Sequence, residues 1–184
     1  MKRFTILGGV NGVGKSTLAG VLASVTNDFG TLVDADKLAL RHGGNFEGGR
    51  EAVKLIRECI SRGDDFTQET TLSGNKTART IAEARENGYF VHLYYVALSS
   101  AEESLSRIKN RVRKGGHDIP EDAVRRRFAK RFDDLLRILP LVDEAVLFDN
   151  ENGFVRVADY RGGRLTAAGD DLPEWFEELK ERLK

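Results

Sequence analysis

The sequence predicts a single α/β domain over residues 1–184: a parallel sheet covered by helices on both faces, a basic helical lid near residues 107–131, and a C-terminal β-hairpin followed by a helix. Three observations predict it. A β-prone apolar run, Phe4-Thr5-Ile6-Leu7, leads directly into Gly9-Val10-Asn11-Gly12-Val13-Gly14-Lys15-Ser16, and then into Leu18, Val21, Leu22 and Val25 at helical spacing. Strand-like and helix-like segments alternate from there on, as crossover helices between parallel strands require. Tyr89 to Leu98 is almost unbroken in its apolar character, which suits the centre of such a sheet.

Taken in order, Lys15 to Val25 is the first helix and Asn27 to Gly30 a turn. Thr31-Leu32-Val33 is a short strand ended by Asp34-Ala35-Asp36, with a helix or helical turn starting near Asp36 and a loop at Arg41-His42-Gly43-Gly44. Gly49 to Arg62 carries Val53, Ile56 and Ile60 on one face and stops at Gly63. A polar strand, Asp65 to Thr71, leads through Leu72-Ser73-Gly74 to a helix over Asn75 to Glu86 that ends at Asn87-Gly88. After the central strand, Ser99-Ser100-Ala101-Glu102-Glu103 has the hydroxyl cap and early acids of a helix start. That helix runs to about Lys114 and breaks at Gly115-Gly116-His117-Asp118-Ile119-Pro120. Glu121 to Leu139 is one long basic helix ended by Pro140. Glu144 to Asp149 is a strand, Asn150 to Gly153 a hairpin turn, Phe154 to Tyr160 an exposed strand with a short partner after Arg161, and Asp171 to Lys184 a terminal helix with Pro173 in its first turn.

Bulk composition excludes several function classes. Lys plus Arg and Asp plus Glu both number 29, which argues against general binding to nucleic acid or a membrane surface. The single cysteine, Cys59, sits among Val53, Leu55, Ile56 and Ile60 as a small core residue, so no internal disulfide framework and no cysteine zinc site is available. No apolar run approaches the ~20 residues of a membrane-spanning helix. The start runs straight into a strand, which leaves no room for a signal peptide and predicts a cytoplasmic protein.

The chemistry lies in the glycine-rich segment. G-x-x-x-x-G-K-[ST] between a strand and a helix is the phosphate-binding P-loop, so the fold class is a P-loop NTPase-type sheet. Glycines let the backbone turn tightly against a ligand, and the freed N–H groups at the helix start favour an anion. The expected nucleotide-binding residues are Gly9, Asn11, Gly12, Val13, Gly14, Lys15, Ser16 and Thr17, with the Lys15 ammonium between the β- and γ-phosphates and the Ser16 hydroxyl on Mg²⁺. Parallel sheets bind ligands beyond the carboxyl ends of their strands, which gathers the P-loop, Asp36 and Glu69 at one rim. Phosphoryl transfer needs a carboxylate near the acceptor hydroxyl; Asp36 is the candidate base, Asp34 the alternative, and a helix cap the competing role for Asp36. Glu69 orders the Mg²⁺ shell or holds substrate, or else is an edge carboxylate facing water; Thr70 and Thr71 offer hydroxyls beside it. The basic block from Arg107 to Arg131 suits a mobile lid, with Arg113 and Arg127 as candidates for stabilising the transferring phosphoryl and His117 orienting the hinge loop. Leu72-Ser73-Gly74 and Ala145 to Glu151 look like the signature and acid-ended strand of ABC-type ATPases, but lie far apart and read as a turn and an ordinary late strand.

On Gly8-Gly9-Val10-Asn11-Gly12-Val13-Gly14-Lys15-Ser16-Thr17, Val33-Asp34-Ala35-Asp36, Glu69-Thr70-Thr71-Leu72-Ser73-Gly74, and Gly115-Gly116-His117-Asp118-Ile119-Pro120 with Arg127-Phe128, the chain resembles the zeta-toxin family of P-loop kinases, in particular its smaller bacterial branch. The resemblance implies a phosphotransferase using ATP or GTP, with UDP-N-acetylglucosamine as the acceptor of characterised zeta toxins. By the same resemblance Asp36 matches the catalytic base, Lys15 and Ser16 the nucleotide and metal contacts, Glu69 a substrate contact, and Arg113 or Arg127 lid arginines. It also implies an antitoxin partner. Two departures weigh against carrying over the toxin's substrate, toxicity and partner: the toxins' Glu-Gly-Thr-Gly-Arg segment is Glu69-Thr70-Thr71-Leu72-Ser73 here, without its arginine, and no helical sequence precedes the first strand. The leading reading is a small-molecule kinase using Mg-ATP, with Glu69 and Thr71 as substrate contacts. Its competitors are a nucleotide-dependent switch or ATPase without an acceptor, and a nucleic-acid module built on the basic helices.

Overall fold

A computed structural model describes residues 1–25, 29–42 and 44–183. The expected turn at Asn27 to Gly30 and the glycine at 43 therefore lie partly or wholly outside the described residues. In chain order the elements are β1 (Arg3–Gly8), α1 (Lys15–Val25), β2 (Thr31–Asp34), α2 (Ala35–His42), α3 (Asn45–Arg62), β3 (Phe66–Thr70), α4 (Lys76–Glu86), β4 (Phe90–Ala97), α5 (Ala101–Arg113), α6 (Glu121–Ala129), α7 (Arg131–Ile138), a 3₁₀ turn (Leu139–Leu141), β5 (Glu144–Asp149), β6 (Val155–Arg161), β7 (Arg164–Ala167) and α8 (Glu174–Arg182).

The seven strands form one sheet in the order β2-β3-β1-β4-β5-β6-β7. The first five neighbours run parallel, and β6 and β7 add an antiparallel hairpin at the β5 edge. Register fixes the functional rim: Gly8 of β1 lies opposite Thr70 of β3, and Asp34 of β2 lies opposite Glu69.

The two faces are covered unequally. One packs against α3, α4, α7 and α8 through Ile56, Ile60, Ile81, Phe132, Leu135, Trp175, Phe176 and Leu179. The other is covered near the P-loop by Leu18 of α1 and Phe128 of α6, packed on Val96 and Leu98. This explains β4: instead of the doubly buried strand its composition suggests, it alternates, with Phe90, His92 and Tyr94 only half-buried on the thinner side. Val21 of α1 and Val53 of α3, expected in apolar faces, are 49% and 42% exposed. Cys59 is buried, as expected.

Three element boundaries differ from the sequence pattern. Arg41 and His42 close α2 rather than forming a loop, and α3 begins at Asn45. Pro173 precedes α8 instead of lying inside it. The expected Glu121–Leu139 helix is two helices, interrupted at Lys130. There the buried Arg131 guanidinium lies 4.1 Å and 4.0 Å from the Phe128 and Phe132 ring centres. Its Nη1 donates to the Phe128 carbonyl at 3.0 Å, and its Nη2 donates to Glu178 of α8 at 2.5 Å. A side chain thus takes a carbonyl that a continuous helix would offer to its own backbone.

Candidate active site

A cleft of ≈ 940 Å³ opens at the carboxyl ends of β1, β2 and β3, lined on one side by the P-loop and on the other by α5, the 116–120 loop and α6. Asn11, Gly12, Gly14, Lys15, Ser16, Thr17, Asp36, Glu69, Thr71 and Arg127 all line it. The P-loop is built close against its surroundings. Gly12 and Gly14 have φ of 81° and 99°, and a Cβ on them would lie 2.5 Å from the Ser104 carbonyl and from Asn150 Nδ2 respectively. Val13 instead sends its side chain into the core beside Leu18 and Val96.

Lys15 is buried at the cleft floor. Its Nζ donates to the Val10 carbonyl at 3.0 Å and lies 4.0 Å from Glu69 Oε1. Burial holds its pKa below the usual lysine range, against the opposing pull of Glu69, Asp36 and Asp34, while Arg111 adds to the lowering. Ser16 Oγ donates to the Glu69 carboxylate, 2.8 Å to Oε2 and 3.1 Å to Oε1. Glu69 is therefore not a water-facing edge group; it holds the P-loop lysine and serine together.

The two acids after β2 divide the work. Asp34 Oδ1 accepts from the backbone N–H of Asp36 at 3.0 Å and of Lys37 at 3.2 Å, and its Oδ2 lies 3.3 Å from Lys37 Nζ. Asp34 is the helix cap, so the capping role weighed for Asp36 belongs to its neighbour. Asp36, in the first turn of α2, presents an exposed carboxylate to the cleft. Among the described residues no group of three or more His, Cys, Asp or Glu could hold a metal. The oxygens of Ser16 and Glu69 suit Mg²⁺, which takes one or two protein oxygens and completes its shell with phosphate and water.

The segment expected to form a lid, α5 through α6, has its own small core of Leu105, Ile108, Ile119 and Val124. Arg107, Arg111 and Lys114 line the cleft at helical spacing. Arg113 falls on the other side of the helix, exposed, with Nη1 3.5 Å from Asn110 Oδ1, and is not among the lining residues. Arg127 reaches across from α6 to donate to Asn11 Oδ1 at 2.6 Å. Arg111 donates to the His117 carbonyl at 2.7 Å, which ties the 115–120 loop to α5. Several other lid arginines are paired with acids: Arg107 with Glu103, Arg125 with Glu102 and Glu121, and Arg126 with Asp122. Those pairs remove much of the positive surface that nucleic-acid binding would need.

Sequence reasoning missed three contributors. Arg137 of α7 donates to the Leu72 and Gly74 carbonyls and to Asn75 Oδ1 at 2.8, 2.6 and 2.7 Å, pinning from behind the turn that carries Thr71 and Ser73. Leu72, at φ 63° and fully buried, locks the same turn from within. Asn150, read as an ordinary turn residue, donates from Nδ2 to the Val13 carbonyl at 2.7 Å. An apolar strand ending in Asp149-Asn150-Glu151 was the available signal.

A glycine-rich loop, a paired lysine and serine, rim carboxylates and a basic lid make one assembly, and the zeta toxin family model matches residues 45–153, more than half of the chain.

The chain belongs to the zeta toxin family.

The match takes in Glu69, the lid and Asn150, and begins after the P-loop. An uncharacterised Haemophilus influenzae protein is 36% identical over 126 residues, covering 65% of this chain and 88% of that one. The fold is shared with a structure from the PezAT chromosomal toxin–antitoxin system of Streptococcus pneumoniae (TM-score 0.68, 16% identity, 99% of this chain and 84% of that one). It is shared as well with the AvrRxo1-ORF1:-ORF2 complex with ATP (TM-score 0.71, 21% identity), where it spans 99% of this chain and 63% of the other. The P-loop kinase-type α/β fold expected from the sequence is thus the fold observed. No helix among the described residues is long and apolar enough to cross a membrane.

Proposed function

We propose that this zeta-toxin-family protein transfers the γ-phosphoryl group of ATP or GTP to a hydroxyl of a small-molecule acceptor, in the cytoplasm. The observation that carries the reading is the shared cleft: Lys15, Ser16 and Glu69 at its floor, Asp36 free at its rim, and Arg111 and Arg127 on its lid. The P-loop amides and Lys15 hold the triphosphate. The phosphate charge replaces Glu69 as the partner of Lys15 and keeps the ammonium protonated despite its burial. Ser16 and Glu69 would be the protein oxygens that hold Mg²⁺, and the ion would supply charge neutralisation on the phosphates. Asp36 takes the proton of the acceptor hydroxyl as its oxygen bonds to the γ-phosphorus. The bond to the β–γ bridging oxygen breaks, and the nucleoside diphosphate leaves with that electron pair. Arg111 and Arg127 meet the charge spread over the transferring group. Thr71 and Glu69, which line the same cleft, are the proposed acceptor contacts. By family, a nucleotide sugar is the first acceptor to try, and an antitoxin, as in the PezAT system, the first partner; the serine at 73 in place of an arginine argues for a different set of acceptor contacts.

The test is incubation of the protein with γ-labelled ATP, Mg²⁺ and a metabolite extract, asking which compound gains label. Lys15→Ala is expected to abolish nucleotide uptake, and Asp36→Asn to bind ATP normally while losing transfer. Undiminished transfer by Asp36→Asn removes the base; label found only in inorganic phosphate makes the protein an ATPase instead.

A further inference from the structure

The segment after β5 resembles a metal-holding acidic strand end in sequence, yet its side chains are spent on the protein itself. Asp149 Oδ1 accepts from Trp175 Nε1 at 2.8 Å, and Oδ2 accepts from the Glu151 N–H at 3.0 Å. Glu151 Oε1 accepts from the Ser99 N–H at 2.6 Å. Asn150 is held by its backbone at both ends: its N–H donates to the Ala97 carbonyl at 3.2 Å, and its carbonyl accepts from Arg107 Nη2 at 2.7 Å. Arg107 also reaches the Glu151 carbonyl at 3.1 Å and is steadied by Glu103 at 2.7 Å. Held in this way at its backbone, Asn150 aims its amide at the P-loop, with Nδ2 donating to the Val13 carbonyl 2.7 Å away.

That carbonyl belongs to the Val13–Gly14 peptide unit. In a trans peptide the C=O and the following N–H point in opposite directions. Gly14 sits at φ 99°, a region where a glycine peptide can reorient at little cost, and the unit has no side chain on that residue to choose its orientation. We propose that Asn150 is the positioning residue of the phosphate-binding loop: by holding the Val13 carbonyl it turns the Gly14 N–H to the opposite side, toward the phosphates, and Arg107 ties that setting to lid helix α5. This inference rests on the nucleotide reading above. It goes beyond it in giving the P-loop an external lock, one that couples the loop's shape to the lid through Arg107.

The test compares the wild type with Asn150→Ala by calorimetric titration with MgATP, by the ligand-free melting midpoint, and by ¹⁵N spectra that follow the Gly14 amide. The expected result is a midpoint within a few degrees of the wild type, a Kd raised about ten- to a hundredfold, and a Gly14 amide that no longer moves downfield with nucleotide. A Kd within threefold of the wild type, or a Gly14 amide that responds as before, overturns the inference. A fall in midpoint that accounts for the whole loss of binding also overturns it, because Asn150 is then a structural brace. Should Asn150→Ala not fold, Asn150→Ser is read by the same criteria, its shorter hydroxyl failing to reach Val13. A wild type that takes up no nucleotide refutes the kinase reading instead. The orientation of the Gly14 N–H, measured by residual dipolar couplings in the ligand-free wild type and variant, then decides the lock on its own: a changed orientation supports it and an unchanged one overturns it.

Discussion

Glu69→Gln separates two roles that the geometry gives one carboxylate. Glu69 lies 4.0 Å from Lys15 Nζ and accepts from Ser16, so it engages the two groups a triphosphate needs. At that distance the attraction to Lys15 is about 4 kcal/mol in an effective dielectric of ~20, and Glu69 is shielded enough from water to keep a good part of it. A γ-phosphate seated on Lys15 forfeits that attraction and places a second anion beside Glu69. At ~5–6 Å, with dielectrics between ~20 and ~80, the repulsion is about 1–3 kcal/mol per charge pair. Removing the charge is therefore expected to tighten metal-free ATP binding by about five- to a hundredfold. With Mg²⁺ the sign reverses, because the carboxylate that would help hold the metal is gone and its benefit to affinity and turnover shrinks. The assay is titration of wild type and variant with ATP in excess chelator and again in excess Mg²⁺. Metal-free affinity within twofold of the wild type, or an unchanged ratio of Mg²⁺-bound to metal-free affinity, refutes the argument.

Arg127→Ala and Arg111→Ala are expected to lower phosphoryl transfer by about a hundredfold or more, whereas Arg113→Ala stays within about twofold, measured as label incorporated per unit time. His92 Nε2 is buried without a hydrogen-bond partner among the described residues, and burial holds its pKa below the usual histidine value, with Glu144 opposing. The unfolded chain then binds the extra proton first, so stability to urea falls as pH drops below about 6.5 and levels off beneath the folded-state pKa; His92→Phe is expected to flatten that slope. Arg137→Met strips two backbone carbonyls and Asn75 of their donor and is expected to cost about 2–4 kcal/mol in urea denaturation, with faster proteolysis at the 71–75 turn.

The sequence by itself determined what is contiguous. The P-loop needs only neighbouring glycines, a lysine and a serine between a strand and a helix, and the alternation of elements predicts a parallel sheet, whereas the strand order β2-β3-β1-β4-β5 was decided by the tertiary structure. The Ser100 cap and the Gly63 stop are equally local: Ser100 accepts from the Glu103 N–H at 3.1 Å, and Gly63 closes α3 in a left-handed conformation. Tertiary structure decided everything that joins distant residues. Which lid arginines face the cleft depends on how α5 is rotated over the P-loop, and that rotation selected Arg111 over Arg113. The break at Lys130 follows from α8 presenting Glu178 to Arg131, and the contact of Asn150 with Val13 follows from β5 ending beside a loop 137 residues earlier in the chain. Such choices are beyond a periodic pattern because each is settled by a partner that only folding brings within hydrogen-bond reach.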